Sequence, residues 1–215
     1  MKKLAFIALY AMIGLNGVAF ADSTNIESNL PECKTHEDRI KGCAEREYYT
    51  NGNLSIEIPF KDSMLEGTKK IYGKNGNILN EIPFKNGKFD GIERQYYENG
   101  KLELEIPHKD GEIHGVAKTY HENGRLREEM PHKNDSLDGV VKWYYDNGRL
   151  EGEFPYKNHE ADGMWKWYHK DGSLRLSITF ENSKAISGKC GNGKTIESQK
   201  LSEFDRWNIS KLGCE

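Results

Sequence analysis

The chain has 215 residues, of which 30% are charged and 36% hydrophobic, and 31 Lys plus Arg against 34 Asp plus Glu give a net charge of -3. This balance excludes a polytopic membrane protein. It also argues against a nucleic-acid-binding protein, which normally carries a basic excess that neutralises phosphates. Because a low apolar fraction and 22 glycines fit poorly with one thick core, we expect a thin, elongated, turn-rich protein.

The first 21 residues have the composition of a cleavable secretory signal of bacterial type. Lys2 and Lys3 precede an apolar run from Leu4 to about Val18, and a small-x-small pattern ends at Ala21. A membrane anchor would need about 20 apolar residues, and this run is shorter. We expect removal of residues 1–21, no membrane span in the remaining chain, and a periplasmic or extracellular location.

The four cysteines form two pairs that are close in sequence, Cys33 with Cys43 and Cys190 with Cys214. Export to an oxidising compartment favours disulfides, and of the three possible connectivities we predict the local pairing. Zinc binding is the alternative, but the sequence has no C-x-x-C pair and no histidine at a matching offset. The two pairs predict disulfide-bonded caps at residues 22–45 and 188–215.

A 24-residue repeat organises the chain between these caps. Asn-Gly or Asp-Gly pairs end at Gly52, Gly76, Gly100, Gly124, Gly148 and Gly172. Prolines recur at Pro59, Pro83, Pro107, Pro131 and Pro155. A second glycine column comprises Gly67, Gly91, Gly115, Gly139 and Gly163, then slips by one residue to Gly188. A fixed period of this length is typical of repeat proteins, in which each unit needs its neighbours to bury its faces.

Each unit has the pattern of a β-hairpin. A run of β-forming residues such as 140–145 leads into Asn-Gly, and a second stretch such as 102–106 alternates apolar with charged residues before it ends at proline. A polar return turn such as 109–111 then leads to the next unit. The predicted fold is an all-β, elongated antiparallel meander of six hairpins over residues 46–187, with a short C-terminal helical cap.

Two turn geometries compete at the Asn-Gly positions. A two-residue type I′ turn would place Arg94 opposite Glu105 and create a ladder of ion pairs, as it would for Lys70 with Glu81 and the equivalent pairs. A three-residue turn with glycine in a bulge would place Tyr96 opposite Leu102 and Ile92 opposite Ile106. We favour the second geometry, because burial of apolar side chains outweighs exposed ion pairs.

The C-terminal segment changes character and predicts a short helix from about Glu203 to Leu212. Ser202 would be its N-cap and Asp205 would lie in its first turn. Phe204, Trp207 and Leu212 would pack on the last hairpin.

The motif Tyr-Tyr-x-Asn-Gly-x-Leu-x-x-Glu, followed by Lys-x-Gly-x-x-x-Gly, resembles the variant MORN repeat over about residues 43–187. This repeat occurs in the YwqK-family antitoxins and in exported 24-residue repeat proteins. The resemblance implies a β-hairpin solenoid used for protein interaction, with some members acting as the antitoxin of a toxin pair.

We find no signature of catalysis, and expect no cofactor or metal. His108 and His132 occupy a column that is otherwise aromatic, which favours packing. His121 and His169 replace tyrosine in the same way. A column of glutamates could serve glycoside hydrolysis, but it recurs in every unit, whereas an active site is unique. This favours a solvated row paired with lysines, made of Glu57, Glu81, Glu105, Glu129 and Glu153.

The aromatic residues of the fifth and sixth units are the main functional candidates. Trp143, Trp165, Trp167 and Tyr145 could form an exposed binding face, because Trp and Tyr give large contact areas at low entropic cost. Equally, they could form the docking site of the terminal helix.

The leading functional hypothesis is a non-catalytic scaffold that binds an unknown protein or a cell-surface polymer. The second is an antitoxin-like protein that neutralises a toxin, and the third is an envelope glycan hydrolase.

Overall fold

The structure is a computed structural model that describes residues 29–204 and 209–214. The predicted signal segment, residues 1–21, lies outside this part of the chain, as do Asp205 and Trp207 of the predicted helix. No helix in the described ranges is long and apolar enough to cross a membrane.

A single antiparallel sheet of 18 strands forms most of the structure. Helix α1 spans His36–Lys41, helix α2 spans Ser198–Ser202, and a 3-10 helix spans Ile209–Leu212. The strands, numbered in chain order, are β1 Cys43–Tyr48, β2 Leu54–Lys61, β3 Met64–Leu65, β4 Gly67–Tyr72, β5 Ile78–Lys85, β6 Lys88–Phe89, β7 Gly91–Tyr96, β8 Leu102–Lys109, β9 Glu112–Ile113, β10 Gly115–Tyr120, β11 Leu126–Lys133, β12 Ser136–Leu137, β13 Gly139–Tyr144, β14 Leu150–Lys157, β15 Glu160–Ala161, β16 Gly163–Tyr168, β17 Leu174–Glu181 and β18 Lys184–Cys190.

The strands follow one another through the sheet as a meander, as the sequence predicts. In each of the six units a six-residue strand pairs with the eight-residue strand that follows it, as β7 pairs with β8. In the first five units a two-residue strand then pairs with the end of the long strand, as β9 does with β8, and the next six-residue strand pairs with the same long strand, as β10 does with β8. In the sixth unit the seven-residue β18 pairs with β17 instead.

The Asn-Gly turns inside the hairpins have the predicted three-residue geometry. In the third unit the Tyr97 amide donates to the Lys101 carbonyl at 2.8 Å, and the Gly100 amide donates to the Tyr97 carbonyl at 2.8 Å. Gly100 has a φ of 80°, in the left-handed region that glycine enters without a steric penalty.

The predicted register is correct beside the turn and wrong beyond it. Tyr96 lies opposite Leu102 as expected, but Arg94 lies opposite Glu105, and Ile92 lies opposite Pro107 rather than Ile106. The reason is a β-bulge between Gln95 and Tyr96. Because the extra residue in the long strand shifts the pairing by one position, the structure combines a three-residue turn with the ion-pair ladder of the alternative geometry.

Type I′ turns occur between the units. Asn86 and Gly87 have φ values of 50° and 75°, and Asp110 and Gly111 have values of 54° and 99°, as this two-residue turn requires. The second glycine column follows each turn. At Gly91, where φ is 122°, a Cβ atom would lie 3.0 Å from Pro83 Cγ, so the glycine and proline columns are in mutual contact.

The N-terminal cap covers the outer edge of β1. The Ala44 amide donates to the Pro31 carbonyl at 2.9 Å, and the Cys33 amide donates to the Ala44 carbonyl at 3.0 Å. The Cys33–Cys43 disulfide holds this segment in place. Sheet edges with unpaired backbone groups template aggregation, so the cap protects this end of the sheet.

The C-terminal cap begins as a seventh hairpin that stops early. Its turn repeats the three-residue geometry, because the Cys190 amide donates to the Lys194 carbonyl at 2.8 Å and the Gly193 amide donates to the Cys190 carbonyl at 2.9 Å. The return segment forms a single bridge, between Thr195 and Lys189, and its pairing ends at Ile196, whose amide donates to the Gly188 carbonyl at 2.9 Å. The Cys190–Cys214 disulfide then ties the chain end to this turn, so both predicted disulfide pairings are present.

Two details of the predicted C-terminal cap are wrong. Ser202 ends α2 rather than capping a helix that follows it, because the helix begins directly after the shortened return segment and buries Leu201. Gly188 does not continue the second glycine column. Instead it allows the cap to approach, since a Cβ atom there would lie 3.0 Å from Ile196 Cδ1 and 3.1 Å from Leu201 Cδ2.

Candidate binding surface

The single sheet has two faces of different chemistry, because successive side chains of a strand point to opposite sides. We call the side that carries Arg94 and Glu105 the ladder face. The other side carries Phe154, Trp165 and Trp167, and we call it the cap face, because the C-terminal cap packs there through Phe204.

A row of alternating charges crosses the ladder face from unit to unit. Lys118, for example, is the cross-strand partner of Glu129 on one side and of Glu105 on the other. The row comprises Arg46, Glu57, Lys70, Glu81, Arg94, Glu105, Lys118, Glu129, Lys142, Glu153 and Lys166. Opposite charges directly across a strand pair stabilise a sheet, and like charges destabilise it.

The distances between oppositely charged groups differ along this row. Arg46 Nη2 lies 2.6 Å from Glu57 Oε1, and this carboxylate is the one buried charged group in the described ranges, with Glu57 only 7% exposed. Arg94 Nε lies 3.3 Å from Glu105 Oε1. The glutamate column was predicted to be solvated and paired with lysines. Its cross-strand partners are basic as predicted, but they include arginines, and the row is not fully solvated, since the side chains of Glu57 and Glu105 are 9% and 23% exposed.

The tyrosine column reinforces the glutamates from the neighbouring unit. The hydroxyl group of each tyrosine donates to the glutamate 15 positions earlier, at distances of 2.8 to 3.1 Å, in the pairs Tyr96 with Glu81, Tyr120 with Glu105, Tyr144 with Glu129 and Tyr168 with Glu153. Burial, followed by the hydrogen bond to the carboxylate, raises the pKa of Tyr96, Tyr120 and Tyr144 to about 12.

This arrangement predicts a loss of stability at high pH. Below the ordinary tyrosine pKa of about 10 these tyrosines are neutral in both the folded and unfolded chains. Between this value and the folded pKa of about 12, only the unfolded chain loses protons, so the free energy of unfolding falls as the pH rises.

Urea unfolding at a series of pH values, compared with a variant in which Tyr96, Tyr120 and Tyr144 are replaced by Phe, would measure this effect. We expect a steeper loss of stability in the native protein over this interval. The variant retains every other ionisable group of the chain and so corrects for their contributions. Identical slopes would contradict the role of the tyrosines.

An exposed apolar row lies beside the charges on the ladder face. Its members occupy the same position in consecutive units, and are Ile92, Val116, Val140 and Met164, with exposures of 44%, 44%, 42% and 49%. The first three have Pro107, Pro131 and Pro155 as cross-strand partners. In the described part of the chain, the C-terminal cap packs on the other face through Phe204. The N-terminal cap contacts the ladder face at Arg46 in the first unit, whose Nη1 lies 3.3 Å from Glu32 Oε2, and among the described residues the structure shows no cap contact with the four residues of the row. The row is therefore available to a partner.

The structure contradicts the exposure that the binding-face hypothesis requires for Trp165 and Trp167. These residues are only 5% and 3% exposed and pack against Phe204 at ring distances of 6.4 and 5.8 Å. Their role is to dock the C-terminal cap, which is the alternative that the sequence left open. Trp143 and Tyr145 are half-buried, and their part in binding stays a prediction.

The histidines of the repeat columns also make structural contacts. His108 stacks on Phe89 at a ring distance of 5.1 Å, and its Nε2 lies 2.9 Å from Glu93 Oε2. His121 Nε2 lies 2.9 Å from the Tyr144 carbonyl oxygen. Among residues 29–204 and 209–214, no three His, Cys, Asp or Glu side chains are grouped so that they could hold a metal ion.

Sequence reasoning missed the apolar row because it assigned these residues to the buried side of the hairpin. The signal was present, since a residue two positions before a ladder lysine or arginine must share its face. The bulge, which the sequence pattern did not reveal, decides that Glu105 and Pro107, rather than Leu104 and Ile106, share this face with Ile92 and Arg94.

A family model described as MORN repeat variant matches this repetitive region. It covers six consecutive segments, at residues 44–62, 65–86, 89–110, 113–134, 137–158 and 161–182. No curated protein matches the chain significantly.

Proposed function

We propose, from the premise that this chain belongs to the MORN repeat variant family, that it is an exported, non-catalytic scaffold whose ladder face binds a partner protein. A repeat scaffold for binding is what the family suggests. The location outside the cytoplasm and the nature of the partner are our additions.

The exposed apolar row is the observation that carries this proposal. Ile92, Val116, Val140 and Met164 are each more than 40% exposed, and consecutive units lie about 9.6 Å apart because each contributes two strands at about 4.8 Å. A continuous apolar strip on a soluble protein marks an interaction site. The proteins that fit it are those that present a complementary apolar ridge.

The charges beside the row favour binding over catalysis. Each ladder glutamate lies between basic residues of neighbouring strands, and several also accept a tyrosine hydrogen bond, as Glu105 does from Tyr120. Groups held by such neighbours fix the register of the sheet and the orientation of a partner. The ladder glutamates recur in the same position of consecutive units, whereas the acid and base groups of a catalytic site have different roles and environments.

Export is supported by the two disulfides, which persist mainly in oxidising compartments. The mature protein would then begin at Asp22, and mass spectrometry of the secreted or periplasmic form tests this. An N-terminus at Met1 in that form would contradict removal of the segment.

Partner capture with matched variants tests the ladder face. A variant with Val116→Glu and Val140→Glu places two charges on the apolar row, and a control with Thr50→Glu and Asn77→Glu adds the same charge at exposed turn positions. We expect the native protein and the control to retain a stoichiometric partner from envelope extract, and the row variant to lose it. Melting temperatures verify that both variants fold.

Retention of the same partner by the row variant would overturn the assignment of the face. If the captured partner is a toxin, the protein acts as its antitoxin. Capture of glycan without protein would contradict the proposal.

A further inference from the structure

Two cavities occupy the same position in consecutive units on the cap face. The first has a volume of about 130 Å³ and is lined by Tyr97, Glu103, Thr119 and Arg127, together with three other residues. The second has a volume of about 360 Å³, and its lining includes the residues that follow these by 24 positions, His121, Arg127, Trp143 and Glu151. Arg127 lines both cavities, so they adjoin at its side chain. We call them together the cap-face groove.

The side walls of the groove are fixed by bonds between units. The Tyr97 hydroxyl group donates to the Tyr120 carbonyl at 2.6 Å, and His121 Nε2 lies 2.9 Å from the Tyr144 carbonyl oxygen. Each ring therefore spans from one unit to the next. The groove exists before any ligand arrives, which lowers the cost of binding.

The extra residue at the β-bulge of the long strand lines the groove in three consecutive units. In these units this residue is charged, and the sign of its charge alternates from unit to unit. Glu103, Arg127 and Glu151 are separated by one unit each, and this series is distinct from the ladder on the opposite face. Glu128 also lines the second cavity, with its Oε1 3.8 Å from Arg127 Nε. The second cavity therefore holds two carboxylates and one guanidinium group.

One polar group in the groove lacks a hydrogen-bond partner. Thr119 Oγ1 is buried and makes no hydrogen bond. The Glu151 carboxylate is half-buried, and burial raises its pKa, although the nearby charges of His121, Lys170 and Arg127 act in the opposite direction. A buried polar group without a partner is costly, and a bound ligand would supply the missing partner.

The spacing of the charges matches an extended peptide that crosses the strands. Consecutive units lie about 9.6 Å apart, from two strands at about 4.8 Å, and an extended chain advances about 3.3 Å per residue. Three residues of peptide therefore span one unit.

We propose that the cap-face groove binds an extended peptide segment that carries charges of alternating sign at every third residue. Its basic side chains lie at Glu103 and Glu151, and its acidic side chain lies at Arg127. The basic group in the second cavity also lies beside Trp143, whose ring face attracts a cation. The groove is on the opposite side of the sheet from Val116 and Val140, so this inference is independent of binding at the ladder face.

Synthetic peptides test the spacing. The probe is a blocked heptapeptide, Lys-Ala-Ala-Glu-Ala-Ala-Lys, and its control, Lys-Glu-Ala-Ala-Ala-Ala-Lys, has the same composition and net charge. In NMR titrations of the full chain we expect the probe to shift the signals of the Thr119 amide and the Trp143 indole, with an affinity about fivefold above that of the control, the size of effect expected for a partly exposed ion pair. Equal affinity of the two peptides would overturn the proposal.

A variant with the charge of Arg127 reversed tests whether this residue recognises the acidic side chain of the peptide. Arg127→Glu should make the protein prefer Lys-Ala-Ala-Lys-Ala-Ala-Lys over the original probe. Lys133→Glu, which makes the same charge change at an exposed position of the same strand, should leave the original preference. If the Arg127 variant has a native NMR spectrum and an unchanged peptide preference, the groove does not recognise the charges of the peptide side chains.

Discussion

Replacement of Phe154 by alanine is expected to lower the free energy of unfolding of the C-terminal units by about 3 to 5 kcal/mol. Phe154 is 2% exposed, and its ring lies between Trp143, Trp165 and Trp167, with centroid distances of 4.6, 5.2 and 5.1 Å. Truncation would remove these contacts and leave a cavity, because a sheet held by hydrogen bonds on both edges cannot collapse around it. Denaturant unfolding followed by tryptophan fluorescence measures the change.

Ile106 provides a matched control, since it occupies the same column two units earlier and is half-buried. Ile106→Ala should cost less, about 1 to 2 kcal/mol, because part of its surface is already in water. Equal costs at the two positions would contradict a core that is concentrated at the C-terminal end.

Removal of the Cys190–Cys214 disulfide is expected to destabilise the C-terminal cap by about 3 to 4 kcal/mol in the chain-entropy model. The bond closes a loop with a sequence separation of 24, and this loop contains the buried residues Ile196, Leu201 and Leu212. Without the bond the cap would open more often and expose Trp165 and Trp167. Hydrogen exchange at the amides of β16 and β17, compared between the native protein and the Cys190→Ser, Cys214→Ser variant, measures this opening.

The variant Cys33→Ser with Cys43→Ser is the corresponding control at the other end. Each unit of a repeat protein contacts only its neighbours, so a disulfide acts mainly on its own end of the array. Faster exchange in β16 and β17 in this control, or unchanged exchange in the C-terminal variant, would contradict a local action of the two bonds.

The architecture was predictable because its signals are local and repeated. The positive φ of Gly100 follows from the Asn-Gly pair. Cysteine positions and export chemistry together predicted the disulfides. Each of these inferences needs only a few neighbouring residues, and six copies of the pattern make it secure. The proline column was expected to end each long strand, and this is wrong, because the prolines lie two residues before the strand ends, as Pro107 does in β8.

The register beyond the turn was not predictable from the same reasoning. A bulge in the long strand changes which of its residues share a side of the sheet with Ile92, and its energy depends on the competition between cross-strand pairs. Ile92 opposite Ile106 would bury more apolar surface within one hairpin, but the observed register pairs Arg94 with Glu105 and with Glu81 of the preceding unit. Apolar burial within a single hairpin favours the first register, whereas the charged pairs extend over the whole sheet and favour the observed one.

The burial of the tryptophans depended on contacts distant in sequence. Trp165 and Trp167 alternate with Lys166 and so must share a face, but whether this face is covered depends on where Phe204 returns. Helix α2 lies before the predicted helical segment, whose last four residues form the 3-10 helix Ile209–Leu212. The seventh, shortened hairpin that redirects the chain was not recognised. Its turn sequence, Gly191-Asn192-Gly193, resembles the earlier turns but falls outside their period.

The charge row also constrains how a protein of this kind can change its length. Every unit from the second to the fifth contributes one basic residue followed by one acidic residue, as Lys118 and Glu129 do. Duplication or deletion of a whole unit at any of these positions therefore preserves the order of signs, whereas gain or loss of a single strand would set two like charges face to face. Tandem gene duplication can therefore lengthen the molecule without placing like charges opposite each other between units. The two caps can remain unaltered at the termini.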